Sequence, residues 1–316
     1  MTDMNKPIVL KAADLPEWAN VELNALFNVL ELPKDPLEIQ SFLEKNGPSV
    51  RGIALRKTKI DAAFLDAVPA VEIISSYSAG LDNLDVEAAK ARGIKIENSS
   101  RILAEDVANT AIGLALAVTR DLVGADAFVR SGMWPERGQY PLGRSISRMK
   151  IGIVGLGTIG SAIVKRLQAF GSQLAYYGPN PKSVDIPYYD DLMKLAKDCD
   201  MLILTCPLSP ATYHLVNADV LDALGARGFI VNISRGPVVD EAALIAAMEA
   251  DKIAGAALDV FEYEPDVPRQ FIEDPRLVLT PHIGSATDET RRAMAENVVD
   301  ALARHFGTPI VRDRAG

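Results

Sequence analysis

"KIGIVGLGTIGSAIVKRLQAF", residues 150–170, is the stretch that decides the fold we predict for this chain. An apolar run leads into Gly155, Gly157 and Gly160, which have G-x-G-x-x-G spacing, and a helical pattern follows them. In a strand-to-helix turn, such glycines allow a tight bend, a close approach of a pyrophosphate to the backbone and close packing of the helix, whose first N–H groups face the phosphates. The stretch therefore predicts a dinucleotide site. Its candidate cofactor contacts are Gly155, Leu156, Gly157, Thr158, Ile159 and Gly160.

Short apolar runs alternate with helical patterns along the 316 residues. The predicted strands are PIVL, RGIAL, VEIISSY, IKIENS, KIGIVG, QLAYY, MLILTC, GFIVNIS, GAALDV and LVLTPH. Most of them are rich in Val, Ile and Leu without polar alternation, as is typical of parallel strands with helices on both faces. We therefore predict an α/β fold with two doubly wound parallel-sheet lobes and a cleft between them. One lobe is a Rossmann-type cofactor domain and the other is a flavodoxin-like substrate domain.

Two helical patterns predict the domain boundaries. A long pattern starts at Ala104 and separates the first four strands from the glycine turn, and its Ala/Leu/Gly-rich face could also pack against a second subunit. Another starts near Thr287 or Asp288 and is expected to cross back to the first domain. We therefore predict a homodimer whose subunit has a discontinuous substrate-binding domain and a cofactor-binding domain. The predicted ranges are 1–100 with 287–316 for the first domain and 101–286 for the second.

Composition and charge argue against several classes of protein. A formal net charge of −9, without a concentrated basic face in the sequence, argues against nucleic-acid and membrane partners. No apolar run approaches the length of a membrane span, and the N-terminal sequence is not that of a signal peptide. The two cysteines, Cys199 and Cys206, are interpreted as buried structural thiols, and a reducing cytoplasm is the expected location. No Cys/His spacing suggests a metal, so no metal site is predicted.

The segment QLAYYGPNPK, residues 173–182, indicates which dinucleotide is bound. A carboxylate is often found at this strand end, where it hydrogen-bonds a ribose 2′-hydroxyl and would repel a 2′-phosphate. Gly178 stands there instead, Asn180 can donate hydrogen bonds, and Lys182 supplies positive charge. The segment therefore favours NADP(H) over NAD(H), with a pocket that accepts either cofactor as the alternative. The candidate contacts are Gly178, Pro179, Asn180 and Lys182.

Polar side chains follow three successive predicted strands. FIVNISRGPVVDEAAL places Arg235 just beyond one strand, and GAALDVFEYEP places Asp259 and Glu264 beyond the next. LVLTPHIGSATDE places His282 beyond the last. Because the carboxyl ends of parallel strands are where α/β proteins bind their ligands, we expect these groups to converge on one nicotinamide ring. Arg56, which follows the strand RGIAL, is a candidate substrate contact because its side chain could point into a cleft.

At these segments the sequence resembles the family of D-isomer-specific 2-hydroxyacid dehydrogenases. The matching pieces are the GLGTIG turn and the segments N-x-S-R-G, D-V-F-x-x-E-P and P-H-I-G-S, in the order and spacing of the family. YSAGLDNLD and CPLSPATYHLV match as well, and the resemblance runs from about residue 45 to the C-terminus. Within the family, the chain is most similar to the glyoxylate/hydroxypyruvate and hydroxyphenylpyruvate reductase group, which often uses NADPH.

The resemblance implies that Arg235, Glu264 and His282 are the catalytic residues, and the chemistry of keto-acid reduction suits these roles. The reaction needs a hydride from the nicotinamide and a proton for the carbonyl oxygen. His282 is a suitable proton donor because imidazole changes protonation near neutral pH, and Glu264 would stabilise its charged form. Arg235 can bind the substrate carboxylate with its fork of N–H groups and polarise the keto oxygen.

The resemblance also implies further contacts with substrate and cofactor. The backbone N–H groups of Ser78, Ala79 and Gly80 are expected to bind the substrate carboxylate, because a turn with a glycine permits close approach. Asp259 is expected to orient the nicotinamide carboxamide. The other implied cofactor contacts are Thr205, Cys206, Pro207, Thr212, Ile233, Ser234, Gly284 and Ser285.

These features predict NADPH-dependent reduction of glyoxylate, hydroxypyruvate or a related small 2-keto acid to the D-2-hydroxy acid. Reductases of 2-ketogluconate or hydroxyphenylpyruvate are alternatives within the family, as are phosphoglycerate and formate dehydrogenases. A non-catalytic protein that senses NAD(P) on the same fold is an alternative of a different class. Trp134 is interpreted either as a wall of a substrate cleft, including that of a neighbouring subunit, or as a packing residue.

Overall fold

The computed structural model describes residues 6–310, and in that range the strands form two parallel sheets. The first sheet is built from β1 (Ile8–Ala12), β2 (Asn28–Glu31), β3 (Gly52–Leu55), β4 (Ile73–Ser76) and β5 (Lys95–Glu97). The second is built from β6 (Lys150–Val154), β7 (Gln173–Tyr177), β8 (Tyr188–Tyr189), β9 (Met201–Leu204), β10 (Phe229–Asn232), β11 (Gly255–Leu258) and β12 (Leu277–Leu279).

The strand orders are those of doubly wound folds. The first sheet has the order β2-β1-β3-β4-β5, which is the flavodoxin-like pattern. The second has the order β12-β11-β10-β9-β6-β7-β8, which is the Rossmann order, counted from β6, with one strand added at an edge. The order reverses between β6 and β9, and α/β sheets bind ligands at such a point, outside the carboxyl ends of the strands. The predicted α/β class with two doubly wound parallel sheets is confirmed.

Helices alternate with the strands. They are α1 (Glu17–Leu26), α2 (Pro36–Asn46), α3 (Ala62–Ala67), α4 (Val86–Ala91), α5 (Ser100–Arg120), α6 (Leu122–Arg130), α7 (Trp134–Arg137), α8 (Thr158–Phe170), α9 (Leu192–Asp198), α10 (Ala218–Leu224), α11 (Glu241–Glu249), α12 (Arg269–Glu273) and α13 (Asp288–Phe306). Several begin at a side chain that accepts a hydrogen bond from an N–H of the first turn, which would otherwise have no partner. These capping residues are Asp35, Asp61, Asp85, Asp121, Asp191, Asn217, Asp240 and Thr287.

The chain divides into two compact units, and each has its own apolar core. One unit contains the chain up to Leu103 and again from Thr287, where α13 packs on β3, β4 and α1. The other runs from Ala104 to Ala286. Every residue of β3 and β4 in the first unit, and of β9, β10 and β11 in the second, is buried. Burial on both faces is the reason why these strands lack polar alternation.

Burial also explains the state of the two cysteines. Cys199 and Cys206 are free thiols in the interior of the second unit. Burial raises the pKa of Cys199 to about 12 and that of Cys206 to about 11, because the charged thiolate is poorly solvated there. Such thiols stay protonated at neutral pH and are weak nucleophiles. The prediction of buried structural thiols is confirmed.

Three local features differ from the sequence prediction. The strands β2 and β8 were not predicted, because both lie at sheet edges, where a strand is only partly buried and needs no long apolar run. The single helical pattern from Ala104 is two helices in the structure. Asp121 separates them with a left-handed φ of 49°, and its carboxylate caps α6 by accepting from the Gly124 N–H at 3.1 Å. Residues 1–5 and 311–316 of the predicted first domain lie outside the described range.

The helix α5 is long and apolar enough, by length and composition alone, to cross a membrane, and it is the one such helix among the described residues. The prediction concerned uninterrupted apolar runs, and in this helix Glu105, Asp106 and Asn109 interrupt the apolar residues. Its environment is that of a core helix, since 56% of its most apolar stretch is buried inside the protein. Glu105 also pairs with Arg166 of α8 at 2.7 Å. The buried positions recur every three or four residues, as the inner face of a packed helix requires. They include Leu103, Val107, Ala111, Leu114 and Val118.

Candidate active site

The glycine turn joins β6 to α8 at the point where the strand order reverses. Gly155 has a φ of 97°, which residues with a side chain rarely adopt, and its N–H donates to the Tyr177 carbonyl at 2.8 Å. A Cβ at Gly155 would lie 2.8 Å from the Cα of Cys206, and a Cβ at Gly160 would lie 2.5 Å from the Gly155 carbonyl oxygen. The turn therefore needs glycine at both positions, because backbone atoms occupy the space of a side chain.

Gly157 is surrounded by open space instead. A Cβ there would meet nothing within 4 Å, so packing inside the protein does not exclude a side chain. The residue is the N-cap of α8, and the N–H groups of the first turn, including those of Thr158 and Ile159, have no partner within the helix. Open space before a helix start suits a pyrophosphate, since helix N-termini bind anions. The residues present therefore fit the dinucleotide predicted for this turn.

After β7 the chain continues into an exposed loop, residues 179–185. A Cβ at Gly178 would meet nothing within 4 Å. Two tyrosine hydroxyls hold the loop: Tyr188 donates to the Gly178 carbonyl at 3.0 Å, and the Lys182 N–H donates to the Tyr176 hydroxyl at 2.6 Å. No carboxylate occurs from Gly178 to Lys182. The strand end therefore offers open space and a lysine where many dinucleotide sites have an acid.

Arg235 leaves the carboxyl end of β10 on a turn that a buried amide holds in place. Asn232 is 1% exposed, and its side-chain oxygen accepts from the Ser234 N–H at 3.0 Å and from the Ser234 hydroxyl at 2.8 Å. The Asn232 amide donates to the Arg235 carbonyl at 3.0 Å. Arg235 is partly buried, and its Nη1 donates to the Ser234 carbonyl at 2.8 Å. Asn232 thus fixes the direction in which the arginine leaves the strand, a role that the sequence prediction did not assign to it.

Gly236 allows the Arg235 turn to touch the loop that follows β11. A Cβ at Gly236 would lie 1.9 Å from the carbonyl carbon of Phe261, so no side chain fits there. The strands β10 and β11 are parallel neighbours, and both loops leave their carboxyl ends. The turn that carries Arg235 and the loop that carries Glu264 are therefore in backbone contact at one edge of the sheet.

The structure brings Glu264 and His282 into contact. The imidazole Nδ1 lies 2.8 Å from Oε2 and 3.1 Å from Oε1 of the carboxylate. An ionised carboxylate can only accept hydrogen bonds, so Nδ1 carries the proton and Nε2 is the ring nitrogen left for a ligand. The two side chains are 47% and 37% exposed, which leaves the ring accessible. The pair therefore has the arrangement of a proton-transfer group oriented by a carboxylate.

Asp259 anchors the loop that carries His282. Its side chain is buried, and Oδ1 accepts from the Ile283 N–H at 2.8 Å and from the Thr280 hydroxyl at 2.7 Å, while Oδ2 accepts from the Gly284 N–H at 2.8 Å. The Asp259 carbonyl accepts from the His282 N–H at 2.8 Å. His282 has a left-handed φ of 55°, which a non-glycine residue keeps only when its surroundings impose it. These bonds to Asp259 impose it here; the predicted contact of Asp259 with the nicotinamide remains a prediction.

The candidate substrate turn of the first unit follows β4. The Ser78 N–H donates to the Ser76 hydroxyl at 3.2 Å, so this predicted donor already has a partner in the protein. The Ala79 carbonyl accepts from the Asn98 amide at 3.0 Å. Binding of a substrate carboxylate by the N–H groups of the turn, Gly80 included, remains a prediction that rests mainly on Ala79 and Gly80.

Arg56, the other candidate in the first unit, follows β3. Its guanidinium carbon lies 5.2 Å from the centroid of the Tyr77 ring, and Nη1 donates to the Asp14 carbonyl at 3.3 Å. These contacts hold the side chain against the protein, as is typical of a cation over an aromatic face. Its contact with substrate remains a prediction.

The other candidate cofactor residues of the second unit lie on loops beyond β9, β10 and β12. The Thr205 hydroxyl donates to the Gly155 carbonyl, which ties the end of β9 to the glycine turn. The Thr212 hydroxyl donates to the Pro207 carbonyl at 2.7 Å and so closes the loop after β9. Cys206, Ile233, Ser234 and Gly284 are buried, while Ser285 is partly exposed. Their contacts with a cofactor remain predictions.

Comparisons with known proteins identify relatives of this chain. A family model described as the NAD-binding domain of D-isomer specific 2-hydroxyacid dehydrogenases matches residues 112–284. A glyoxylate/hydroxypyruvate reductase of Arabidopsis thaliana is 42% identical over 310 residues, covering 96% of this chain and 98% of the relative. A hydroxyphenylpyruvate reductase of Plectranthus scutellarioides is 39% identical, covering 96% of this chain and 97% of the relative.

A solved structure is similar along almost the whole chain. The NADPH-dependent glyoxylate/hydroxypyruvate reductase of Sinorhizobium meliloti, in complex with NADP and malonate, aligns with a TM-score of 0.87 and 38% sequence identity. The alignment covers 99% of this chain and 100% of that one. Sequence and structure comparisons therefore point to the same family.

We expect Gly236→Ala to lower the free energy of unfolding by about 1–3 kcal/mol, because its Cβ would drive the Arg235 turn away from Phe261. Urea denaturation followed by circular dichroism measures the change. Gly113→Ala is the matched control: a Cβ there meets nothing within 4 Å, and alanine favours the helix α5 by about 0.5–1 kcal/mol. Equal stability of Gly236→Ala and the wild type would contradict the backbone contact between the two loops.

Proposed function

This chain belongs to the family of D-isomer-specific 2-hydroxyacid dehydrogenases, and we propose that it reduces small 2-keto acids of the glyoxylate/hydroxypyruvate type to D-2-hydroxy acids with NADPH. Membership makes it an NAD(P)-dependent oxidoreductase; the substrate, the cofactor preference and the residue roles are the proposal. The observation that carries it is the 2.8 Å contact between His282 Nδ1 and Glu264, beside the Arg235 turn.

His282 is the proposed proton donor. NADPH, when bound, supplies the hydride that reduces the carbonyl carbon. Glu264 holds the Nδ1 proton and stabilises the imidazolium, so that Nε2 gives its proton to the keto oxygen as negative charge develops there. In the oxidation direction Nε2 takes the proton back from the hydroxyl group. The carboxylate thus orients the ring and balances its charge, while the imidazole transfers the proton.

Arg235 is the proposed anchor of the substrate carboxylate. A guanidinium presents two parallel N–H donors that match the two oxygens of a carboxylate, and it also polarises a neighbouring keto oxygen. The hydrogen bonds of Asn232 to the turn support this role, because they limit the directions that the arginine can take. In the first unit, Arg56 and the N–H groups of Ala79 and Gly80 are further proposed substrate contacts.

The proposed preference for NADPH rests on the end of β7. The space around Gly178 is open and no acid occurs from Gly178 to Lys182, so none of these residues would repel a 2′-phosphate. Asn180 and Lys182, both exposed, are the proposed phosphate contacts. The Sinorhizobium meliloti relative is described as NADPH-dependent and was solved with NADP. Use of NADH as a second cofactor is compatible with the same open space.

The function is tested by a panel of keto acids with NADPH and, separately, with NADH, followed at the nicotinamide absorbance band. We expect turnover with glyoxylate or hydroxypyruvate that is faster with NADPH than with NADH. The panel includes hydroxyphenylpyruvate and 2-ketogluconate, and faster turnover of either would replace the proposed substrate. No turnover with any acid, together with tight NADPH binding, would favour a protein that senses the cofactor.

His282→Ala is the control variant for this panel. We expect turnover to fall by about 10²–10⁴-fold, because the proton donor is lost, while NADPH affinity measured by nucleotide fluorescence stays close to that of the wild type. Turnover that survives the substitution would exclude the proposed acid role of this histidine.

Gly178→Asp should shift the cofactor preference toward NADH by about tenfold or more, because a carboxylate repels a 2′-phosphate and accepts from a 2′-hydroxyl. The measurement is the ratio of kcat/KM for NADPH to that for NADH. Gly178→Asn has nearly the same size without the charge, so it separates electrostatic repulsion from crowding. An identical ratio in Gly178→Asp and Gly178→Asn would place the discrimination elsewhere.

We also propose that two copies of the chain form a homodimer through α6 and the segment after it. No residue of α6 is buried, and its apolar side chains Leu122 and Val129 are 51% and 53% exposed. Trp134 and Leu142 nearby are 58% and 89% exposed, and a cavity of about 400 Å³ lies among these residues. An exposed apolar surface of this kind is typical of an interface. The alternative role of Trp134, as a wall of a substrate cleft, remains a prediction.

Val129→Glu should convert the dimer to a monomer, because a charge would have to be buried in the apolar contact. Size-exclusion chromatography with light scattering measures the mass, for which one chain contributes 34.1 kDa. Ile272→Glu is the matched control, since Ile272 is an apolar residue that is 66% exposed on α12. A monomeric wild type, or a Val129→Glu protein of unchanged mass, would contradict the proposed interface.

A cytoplasmic location is proposed from the two free thiols, which suit a reducing compartment. Cell fractionation with an antibody to the protein tests it. Recovery of the protein in an oxidising compartment would contradict the proposal.

A further inference from the structure

A second histidine–carboxylate pair lies beside the loop that carries Glu264. His214, in the loop between β9 and α10, places its Nε2 3.1 Å from Oε1 of Glu262. The Glu262 side chain is 12% exposed, and the Tyr213 hydroxyl lies 3.4 Å from the same oxygen. The Glu262 carboxylate is therefore a nearly buried acceptor whose side-chain donors come from one neighbouring loop.

The backbone of Glu262 is held as well. Its N–H donates to Oε1 of Glu241 at 2.8 Å, and Glu241 lies buried at the start of α11. Burial raises the pKa of the Glu241 carboxyl, since the carboxylate loses solvation there. Glu262 is thus fastened at its side chain by His214 and at its backbone by α11.

From Glu262 the contacts continue to the proposed catalytic pair. The N–H of Phe261 donates to Glu264 Oε1 at 3.3 Å, and this oxygen lies 3.1 Å from His282 Nδ1. Glu262 lies between Phe261 and Glu264 in the chain, so a displacement of Glu262 moves both the Phe261 N–H group and the Glu264 carboxylate that accepts from it. A continuous series of contacts therefore leads from His214 to His282.

Carboxylates surround the His214 ring. Its Nδ1 lies 3.8 Å from Oδ2 of Asp240, Nε2 faces Glu262, and the ring stacks on Tyr213 with centroids 4.0 Å apart. No group of three or more His, Cys, Asp or Glu side chains within residues 6–310 is arranged to hold a metal ion. The imidazole is therefore interpreted as a hydrogen-bond donor that lies between two carboxylates, those of Asp240 and Glu262. Without it, the nearly buried Glu262 carboxylate would lose a donor beside other acids, which is costly.

His214 is also tied to the Arg235 turn. Its backbone has a left-handed φ of 48°, and its N–H donates to the Pro237 carbonyl at 2.8 Å. A non-glycine residue keeps such a φ when the surrounding structure holds it there. Pro237 lies two residues after Arg235, so His214 contacts both loops that leave β10 and β11 toward the site.

We propose that His214 is a positioning residue for the reaction: by donating a hydrogen bond to Glu262, it keeps residues 260–264 where Glu264 can hold His282. The inference rests on the proposed function, because its kinetic consequence presupposes proton transfer by His282. In this proposal His214 acts through Glu262 and not through contact with substrate or cofactor.

The test compares His214→Phe, which keeps a stacking ring but has no donor, with His214→Gln, whose amide can still donate to Glu262. We expect His214→Phe to lower kcat by about 10- to 100-fold through misplacement of the proton-transfer pair, with the KM for NADPH within about twofold of the wild type. His214→Gln should recover most of the lost kcat. Equal losses in the two variants would overturn the hydrogen bond as the cause.

A second readout needs no turnover. The chain has three histidines, so their imidazole N–H signals in a ¹⁵N-labelled sample can be assigned by substitution. The Nδ1 proton of His282, bonded to a carboxylate, should give a downfield signal in the wild type and in His214→Gln. In His214→Phe we expect this signal to shift upfield or broaden by exchange with water. An unchanged signal and unchanged kcat in His214→Phe would overturn the proposal.

His305→Phe is the matched control, because His305 Nε2 lies 3.1 Å from Glu72 Oε2 in a similar pair of the first unit. It should leave kcat and the His282 signal unchanged; an equal loss would show that disruption of any such pair suffices. If the wild type turns over no keto acid while the His282 signal responds to His214→Phe, the proposed function fails and the positioning role stands. If the wild type is active and His214→Phe behaves like it, the positioning role alone fails. If the His214→Phe protein does not fold, two other single variants decide. The proposal holds if His214→Gln keeps the His282 signal and Glu262→Leu loses it, and it fails if Glu262→Leu keeps the signal.

Discussion

The geometry of the site depends on the buried carboxylate of Asp259. A carboxylate that is 2% exposed is tolerated when its oxygens accept hydrogen bonds. Here the donors are the N–H groups of Ile283 and Gly284 and the Thr280 hydroxyl. These hydrogen bonds wrap residues 280–284 around the carboxylate. The left-handed backbone of His282, and with it the direction of its ring, follows from this wrapping.

Backbone contacts then set the spacing between neighbouring loops. Parallel pairing of β10 with β11 brings the loops after these strands to one edge, and Gly236 removes the side chain that would keep them apart. The glycine turn at the carboxyl end of β6 follows the same rule, because Gly155 lies against the backbone of Cys206. Side chains such as Arg235 and Glu264 therefore project from loops whose positions are fixed by the main chain, a rigid support of the kind that precise chemistry needs.

The sequence was sufficient where a local rule repeats. Buried runs without polar alternation predicted the parallel strands. Glu264 and His282 each follow the carboxyl end of a predicted strand, and this placement suggested that they meet. It was not sufficient at the exposed edge strands β2 and β8, or at the break near Asp121, where a single backbone angle divides a helical pattern. The supporting residues of the site were missed for another reason. The partners of Glu262 lie 21 residues upstream at Glu241 and 48 upstream at His214, and no spacing rule links residues that only the fold brings together.

The left-handed backbone at His282 lowers local stability in favour of the proposed role of its side chain. An L-amino acid with a Cβ is less favourable than glycine in that conformation by about 1–2 kcal/mol, so the fold is weaker at this point than it needs to be. A glycine or asparagine there would relax the main chain and remove the imidazole in one step. Directed-evolution campaigns that select for heat resistance alone would thus be drawn to position 282 and would lose the proposed proton donor as they improved stability.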